Sequence, residues 1–409
     1  MKSDVLVIGG GAAGMVAAGM AAERGLRVVV LERNPRMARK ILLTGKGRCN
    51  ITNNCTPSEF ITSIPGNGKF LYSAITAFTP QDMMELLQRN GLKVKTERGN
   101  RVFPESDRAM DVVDTLVSYA KRGGCRFETG RAVKLIIRDD ICVGAEDERG
   151  RVFSAPSVIV STGGLSYSNT GCTGDGYVLA GQAGHTVIPT RPSLVPLVSS
   201  DAWCAELQGL SLRNCGLKVM DTKTGKTLYT DFGEMLFTHF GVSGPLILSA
   251  GAHMCDMSQG RYRLIIDLKP ALTPEQLDAR LLRDIGEIPN RELSALLAGL
   301  LPRSMCPVMA ELAELSVDMR CRDITREHRR KLGELLKSMP VTIEDFRPIE
   351  EAVITAGGVS VKEINAKTME SKLLPGLYFA GEVIDVDGYT GGFNLQIAFS
   401  TGAAAGRYC

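Results

Sequence analysis

The sequence has few residues of the kinds that build metal sites, disulfide scaffolds or strongly charged binding surfaces. Its 409 residues include four histidines and one tryptophan, and none of the 11 cysteines forms a C-x-x-C pair. We therefore expect no zinc site and a reducing, cytoplasmic location. The formal net charge of +3 is too small to indicate a nucleic-acid track or a polybasic membrane face. The sequence thus predicts neither nucleic acid nor a membrane as a partner.

Several catalytic patterns are also missing. The chain has no G-x-S-x-G, H-E-x-x-H or P-loop pattern, so nothing supports a serine hydrolase, a metalloprotease or an NTPase. Residues 5–22 are uncharged, but they contain Gly9–Gly11 and Gly14, which suit a turn around a phosphate better than a signal peptide or a membrane anchor. We expect a soluble, folded enzyme.

The chain is longer than the roughly 250–300 residues that one hydrophobic core usually supports. Prolines at 189, 192 and 196 and a change of composition predict that the chain leaves its first domain near residue 190. The segments predicted in this way are a first domain part at 1–190, a β-barrel-like insert at 191–271, a helical insert at 272–338, a return to the barrel at 339–345, and the second domain part at 346–409.

The strongest local signal is a strand, turn, helix and strand over the first 32 residues. Gly9, Gly11 and Gly14 follow the first apolar run directly, and Glu32 ends the second. In this pattern the glycines make the turn, admit a diphosphate and let helix and strand approach, while the acid accepts the ribose hydroxyls. Because Glu32 repels a 2′-phosphate, the predicted dinucleotide is FAD or NAD rather than NADP.

A second glycine turn near the other end of the chain favours FAD. Residues 391–396, GGFNLQ, open an alanine-rich helix whose first amide groups form an anion site. A reduced flavin ring is anionic, so one FAD spanning both turns would use both sites. The alternative is an ordinary glycine cap on a core helix.

A loop rich in cations and glycines follows the nucleotide acid. Arg39, Lys40 and Arg48 flank Thr44–Gly47, and this composition predicts contacts to phosphate oxygens, with a solvated basic loop as the alternative. Cys49 is interpreted as a packed core thiol rather than a redox group.

Two residues are candidates for catalysis. His239 lies between aromatic and glycine residues, where it would protonate a substrate or bind its carbonyl, although a structural histidine is the favoured interpretation. Tyr389 precedes the second glycine turn and would either donate a proton at the flavin ring or pack against it.

Six sequence blocks together resemble the bacterial BaiN-like NAD(P)/FAD-dependent oxidoreductases, a family that also contains aminoacetone oxidases. The resemblance runs nearly end to end, and Lys46 departs from it where many relatives have glycine. The blocks are GGGAAGMVAA, TGKGRCNITN, RVFPESDRA, LFTHFGVSGP, ITAGGVSVKEIN and GLYFAGEVIDVDGYTGGFNLQ.

This resemblance implies an α/β fold with a Rossmann-like FAD-binding domain of the glutathione-reductase-like class, carrying inserted β-barrel and helical subdomains. The placement of Val133 in the implied FAD site depends on a match at the end of a strand. The implied FAD-binding residues are Gly9, Gly11, Gly14, Glu32, Arg39, Lys40, Arg48, Asn50, Val133, Thr162, Gly163, Gly381, Glu382, Asp385, Gly392, Asn394 and Leu395.

The family also implies a choice of reactions on a small-molecule substrate. The first hypothesis is NAD(P)H-driven reduction of a conjugated double bond in a hydrophobic enone such as a steroid or bile-acid derivative, with NAD(P)H as a transient donor. The second is oxidation of a small, aminoacetone-like primary amine with release of hydrogen peroxide. The third is a non-catalytic flavin-bound module that uses the arginine-rich segment 320–331 for docking, although acids within that segment favour a solvated helix face.

Overall fold

The computed structural model describes all residues from 1 to 409, which form 19 strands and 13 α-helices. The strands are β1 Val5–Ile8, β2 Val28–Glu32, β3 Thr52–Asn53, β4 Val94–Glu97, β5 Arg101–Pro104, β6 Arg126–Thr129, β7 Ala132–Arg138, β8 Ile141–Asp147, β9 Val152–Ser154, β10 Ser157–Val160, β11 Val187–Ser193, β12 Leu197–Ser199, β13 Ser211–Asp221, β14 Thr227–Thr238, β15 Gly241–Ser243, β16 Tyr262–Asp267, β17 Met339–Phe346, β18 Ile354–Val359 and β19 Leu377–Phe379. The helices are α1 Ala12–Glu23, α2 Pro57–Thr62, α3 Tyr72–Ala77, α4 Pro80–Arg89, α5 Ala109–Arg122, α6 Asp175–Gln182, α7 Trp203–Glu206, α8 Pro245–Gly251, α9 Pro274–Glu287, α10 Leu293–Ala298, α11 Met305–Leu312, α12 Arg326–Lys337 and α13 Phe393–Tyr408.

Contacts divide the chain into two units. The first unit combines Met1–Ser193 with Pro348–Cys409, and the second is Leu194–Arg347. The first unit is therefore built from both ends of the chain, and the second is inserted between them.

A five-stranded parallel sheet organises the first unit, in the order β19-β10-β1-β2-β6. Every residue of β1 and β2 is buried, and both strands are accordingly apolar without alternation, except for Glu32 at the end of β2. Helix α13 packs closely on α1. The two backbones are so near that a Cβ at Gly402 would collide with the backbone of Ala13, and one at Gly406 with that of Ala17. The alanine-rich composition of both helices permits this approach.

Three smaller β-structures complete the first unit. They are the antiparallel sheet β3-β5-β4, the antiparallel sheet β7-β8-β9 and the pair β11-β18. The sheet β3-β5-β4 was not predicted, since its strands are short and mostly polar.

The second unit is a closed six-stranded barrel with a helical insertion. The barrel order is β12-β15-β14-β13-β16-β17, and helices α9–α12 lie in the chain between β16 and β17. The core of this unit joins barrel residues such as Leu217 and Ile266 to helix residues such as Leu277 and Leu336. The predicted fold class, a Rossmann-like domain with barrel and helical insertions, is confirmed.

None of the helices combines the length and the apolar composition that a bilayer crossing requires.

A buried histidine in the first unit predicts an acid-sensitive stability. The Nε2 atom of His185 lies 2.7 Å from Ser371 Oγ, its Nδ1 lies 3.3 Å from Glu363 Oε2, and the ring packs edge-on against Phe379. Burial lowers the pKa of His185 below its usual 6.5, and this effect outweighs the negative charge of Glu363, which acts to raise the pKa. As the pH falls below 6.5, the unfolded chain therefore takes up this proton before the folded protein does, and the free energy of unfolding decreases.

Substituting His185→Gln should make that decrease shallower, by at most about 1.4 kcal/mol per pH unit for one proton. Urea unfolding at a series of pH values measures the slope, with the exposed His239→Gln as the matched control. An unchanged slope in His185→Gln would show that other groups cause the acid sensitivity.

Candidate active site

One pocket lies at the carboxyl edge of the parallel sheet. Its lining includes Gly9, directly after β1, Glu32 at the end of β2, Thr162, shortly after β10, and Gly381, shortly after β19. Ligands of open α/β sheets bind at this edge, where loops from neighbouring strands converge. The cleft is open to solvent, and its empty space, open solvent included, is about 1150 Å³.

The pocket brings together eleven of the seventeen residues that the sequence assigns to FAD. These are Gly9, Gly11, Glu32, Arg39, Lys40, Thr162, Gly163, Gly381, Glu382, Asn394 and Leu395. The lining does not include Gly14, Arg48, Asn50, Val133, Asp385 or Gly392.

Three of these six residues have protein partners of their own. Arg48 forms ion pairs with Glu97 at 2.5 Å and Asp107 at 2.6 Å. Asp385 accepts a hydrogen bond from the side chain of Asn67, and the carbonyl of Val133 accepts one from a glutamine side chain.

Two of the other three, Gly14 and Gly392, shape the turns around the pocket. Gly14 lies under the first turn, where a Cβ would collide with the Gly9 carbonyl oxygen, and Gly392 caps helix α13 in a left-handed conformation with φ +99°. Asn50 carries a buried Oδ1 without a hydrogen bond. Next to it, burial raises the pKa of Cys49 to about 12, as expected of a packed thiol.

Protein groups already hold both oxygens of the nucleotide acid. The Gly10 N–H donates to Glu32 Oε2 at 2.7 Å, while the backbone and side-chain nitrogens of Asn34 donate to Oε1 at 2.9 and 2.7 Å. The Asn34 side chain also donates to the Thr170 carbonyl and accepts from Arg39. These bonds fix the orientation of the Glu32 carboxylate, whose remaining lone pairs are free for ribose hydroxyls.

A largely buried ion pair lies in the lining of the pocket. Lys40 Nζ lies 2.6 Å from Glu382 Oε2 and 2.5 Å from Ser166 Oγ, which donates to Glu382 Oε1 at 2.7 Å. The Thr355 N–H donates to the same oxygen at 3.0 Å. Burial alone would raise the pKa of Glu382, but the Lys40 charge and these hydrogen bonds outweigh it and hold the pKa below its usual value. Glu382 is therefore a carboxylate acceptor at neutral pH.

Part of the pocket lining was not predicted from the sequence. Arg33 lies 3.1 Å and Arg131 3.6 Å from Asp175, so the three form a charged rim on the pocket. Arg33 directly follows Glu32, and that position was a usable signal. Arg131 follows β6, and only the pairing of β6 with β2 brings it to the pocket.

The two catalytic candidates lie in different units. His239 is an exposed residue at the end of β14 in the second unit, with its ring edge-on to Phe240. Tyr389 belongs to the first unit, where it is half-buried and its N–H donates to the Ser63 carbonyl at 3.0 Å. Neither residue belongs to the lining of the dinucleotide pocket.

The residues of the pocket fit FAD. A Cβ at Gly11 would meet no protein atom closer than Ser161 O at 3.9 Å, so the space beside this glycine is open for a diphosphate. Two helices, α1 and α13, start at the lining and direct their positive ends at the pocket. The buried Thr162 Oγ1 has no hydrogen-bond partner within the protein, which marks a polar group available to a ligand.

Comparisons with known proteins agree with this geometry. Residues 3–408 match the family described as HI0933-like protein Rossmann domain. A 3-dehydro-bile acid delta(4,6)-reductase from Clostridium scindens is 31% identical over 408 residues, covering 98% of this chain and 97% of the relative. A ribosomal RNA dihydrouridine synthase from Escherichia coli is 31% identical over 407 residues, covering 99% of this chain and 98% of the relative.

A solved structure shares the fold at low sequence identity. The 3-ketosteroid-delta4-(5alpha)-dehydrogenase from Rhodococcus jostii RHA1, in complex with 4-androstene-3,17-dione, aligns with a TM-score of 0.52 and 17% identity, covering 100% of this chain and 96% of that one. The full-length family match and the two relatives carry the assignment. This chain belongs to the HI0933-like family, and its predicted place among the FAD-dependent oxidoreductases is confirmed.

Proposed function

We propose that the protein reduces a carbon–carbon double bond conjugated to a carbonyl, with NAD(P)H as the transient electron donor and a hydrophobic enone, such as a steroid or bile-acid derivative, as the substrate. The observation that carries this proposal is the dinucleotide pocket in a chain whose full length aligns with a bile-acid delta(4,6)-reductase. FAD, when bound, supplies hydride acceptance and hydride donation at its ring.

The chain's own residues bind and orient the cofactor. Glu32 is held by Gly10 and Asn34, and its carboxylate would accept hydrogen bonds from the ribose hydroxyls, while Glu382 is held as an acceptor by Lys40. The N-termini of α1 and α13 stabilise negative charge at two places along the pocket. These helix dipoles are fixed in place, so they would stabilise negative charge on bound FAD without reorganisation.

The relatives named as ribosomal RNA dihydrouridine synthases are consistent with the same bond chemistry. The double bond of a uracil ring is also conjugated to a carbonyl. The names of both kinds of relative therefore describe the reduction of a conjugated carbon–carbon double bond. RNA is therefore the second substrate class to test.

The arginine-rich segment does not favour the non-catalytic alternative. Arg329 pairs with Asp278 at 2.6 Å, and Arg330 pairs with Glu334 at 2.6 Å. Lys331 pairs with Glu314, which follows helix α11. These three of the six cations of the segment are thus paired with acids of the same unit, which leaves less positive charge for a docking surface.

Anaerobic titration of the purified yellow protein tests the proposal. NADH or NADPH should bleach the oxidised flavin absorbance, and a steroid enone should then restore it. Restoration only by a uridine-containing ribosomal RNA fragment would replace the enone with RNA. Bleaching by aminoacetone and not by either nicotinamide, with peroxide formed in air, would overturn the reductase proposal in favour of an amine oxidase.

A further inference from the structure

Two of the family blocks, of which Thr44 alone lines the FAD pocket, meet in the small sheet β3-β5-β4. The block TGKGRCNITN runs from the loop at Thr44 into β3, and the block RVFPESDRA begins with β5. Residues 46–48 and 93–108 contain seven lysines and arginines against three acids, whereas the whole chain has a net charge of only +3. Positive charge is therefore concentrated on this sheet and its adjoining loop.

The acids of this region neutralise only part of the charge. Glu97 and Asp107 are occupied by Arg48, and Asp107 also receives Lys95 at 2.7 Å. Four exposed cations then form no ion pair, and they are Lys46, Lys93, Arg98 and Arg101. We call Lys46, Arg98 and Arg101 the cationic platform.

The platform is held in place by the backbone. Arg101 donates from Nε to the Arg98 carbonyl at 3.0 Å, and its guanidinium lies 6.0 Å from the centroid of the Phe103 ring, which Arg48 covers at 4.1 Å. Lys46 occupies the tip of its loop in a left-handed conformation with φ +58°.

The platform lies beside one end of the dinucleotide pocket. The Asn53 side chain donates to the Gly99 carbonyl at 3.0 Å and to the Gly391 carbonyl at 3.2 Å, so it ties the turn that carries Arg98 to the loop before helix α13. Asn394 of that helix lines the pocket, and so does Thr44, two residues before Lys46. A ligand on the platform would therefore meet the end of the pocket at which α13 begins.

We propose that the cationic platform docks the diphosphate of the nicotinamide dinucleotide that reduces FAD. This inference rests on the proposed NAD(P)H-driven function. The chain has one strand-linked glycine fingerprint, and the FAD pocket uses it, so the donor needs another source of phosphate contacts. Guanidinium and ammonium groups supply them. An exposed platform suits a donor that must leave before the substrate enters.

The test measures donor binding separately from hydride transfer. In anaerobic stopped-flow experiments, the variant Arg98→Gln/Arg101→Gln should raise the dissociation constant for the nicotinamide donor at least about tenfold and leave the limiting rate of flavin reduction within about twofold. Lys46→Gln should shift the dissociation constant in the same direction. The matched control is Lys134→Gln/Arg138→Gln, which removes two exposed cations from β7 and should leave the constant unchanged.

The outcomes separate this inference from the proposed function. Equal donor affinity in the platform variant and the wild type would overturn the docking site while flavin reduction by the nicotinamide upheld the proposed function. If neither nicotinamide reduced the wild-type flavin, both proposals would fall. Unchanged donor affinity together with lost binding of a uridine-containing RNA oligonucleotide would overturn the inference and assign the platform to an RNA substrate.

Discussion

Replacing Gly11 with valine should give a folded protein that no longer retains FAD. Gly11 has φ −80° and ψ −166°, a conformation that valine adopts without strain, and the nearest protein atom to an added Cβ is 3.9 Å away. The new side chain would instead occupy the space left for the diphosphate. We expect FAD affinity to fall at least about 100-fold, or about 2.8 kcal/mol, with little change in the unfolding of the apoprotein.

Equilibrium dialysis of FAD and urea unfolding of the apoprotein measure the two effects. Gly181→Val is the matched control, because this exposed helix glycine has no neighbouring atom within 4 Å of an added Cβ and lies outside the pocket. Gly14→Ala should instead lower the free energy of unfolding of the apoprotein and unfold the domain, since its Cβ would collide with the Gly9 carbonyl oxygen. Full retention of FAD in Gly11→Val would place the diphosphate elsewhere.

Replacing Lys40 with methionine should cost the apoprotein about 3–5 kcal/mol of unfolding free energy, because the Glu382 carboxylate would remain buried without its cation. The pair is separated by 342 positions and lies at 2.6 Å, with side chains that are 21% and 10% exposed. Urea unfolding at neutral pH measures this loss. FAD affinity should fall as well, since Glu382 would no longer be held as a charged acceptor.

The pH dependence of the unfolding free energy shows whether the loss in Lys40→Met comes from the unpaired Glu382 charge. In the wild type the lowered pKa of Glu382 contributes stability at pH values above 4.5, and this contribution is lost as the pH falls through the folded-state pKa. In Lys40→Met, burial is opposed only by the hydrogen bonds from Ser166 and Thr355, so we expect the pKa of Glu382 to rise and stability to increase as the pH falls toward 4.5 and the carboxyl takes up a proton. The double variant Lys40→Met/Glu382→Gln should recover most of the loss at neutral pH. Equal stability of the single and double variants would show that the lysine acts by packing alone.

The placement of Lys40 and Arg48 shows where prediction from composition stops. Both cations lie in a glycine-rich loop beyond the nucleotide acid, and both were assigned to phosphate contacts. In the fold Lys40 lies in the pocket lining with Glu382, whereas Arg48 packs against the small sheet and pairs with Glu97 and Asp107. The pattern predicts a cationic loop, but the partner of each cation comes from a distant part of the chain.

The sequence by itself determined the architecture that holds FAD. The glycine spacing after β1, the acid at the end of β2 and the helix start at residue 393 are local features, so short-range sterics and hydrogen bonding specify them without reference to the rest of the chain. Only the tertiary structure decided which side chains share the pocket and which neutralise one another. The pairing of β6 with β2 brings Arg131 to the rim of the pocket. The C-terminal segment packs back onto the first part of the chain, which brings Glu382 to Lys40 and Gly391 to Asn53. These contacts depend on long-range pairing, which no spacing within a single segment encodes.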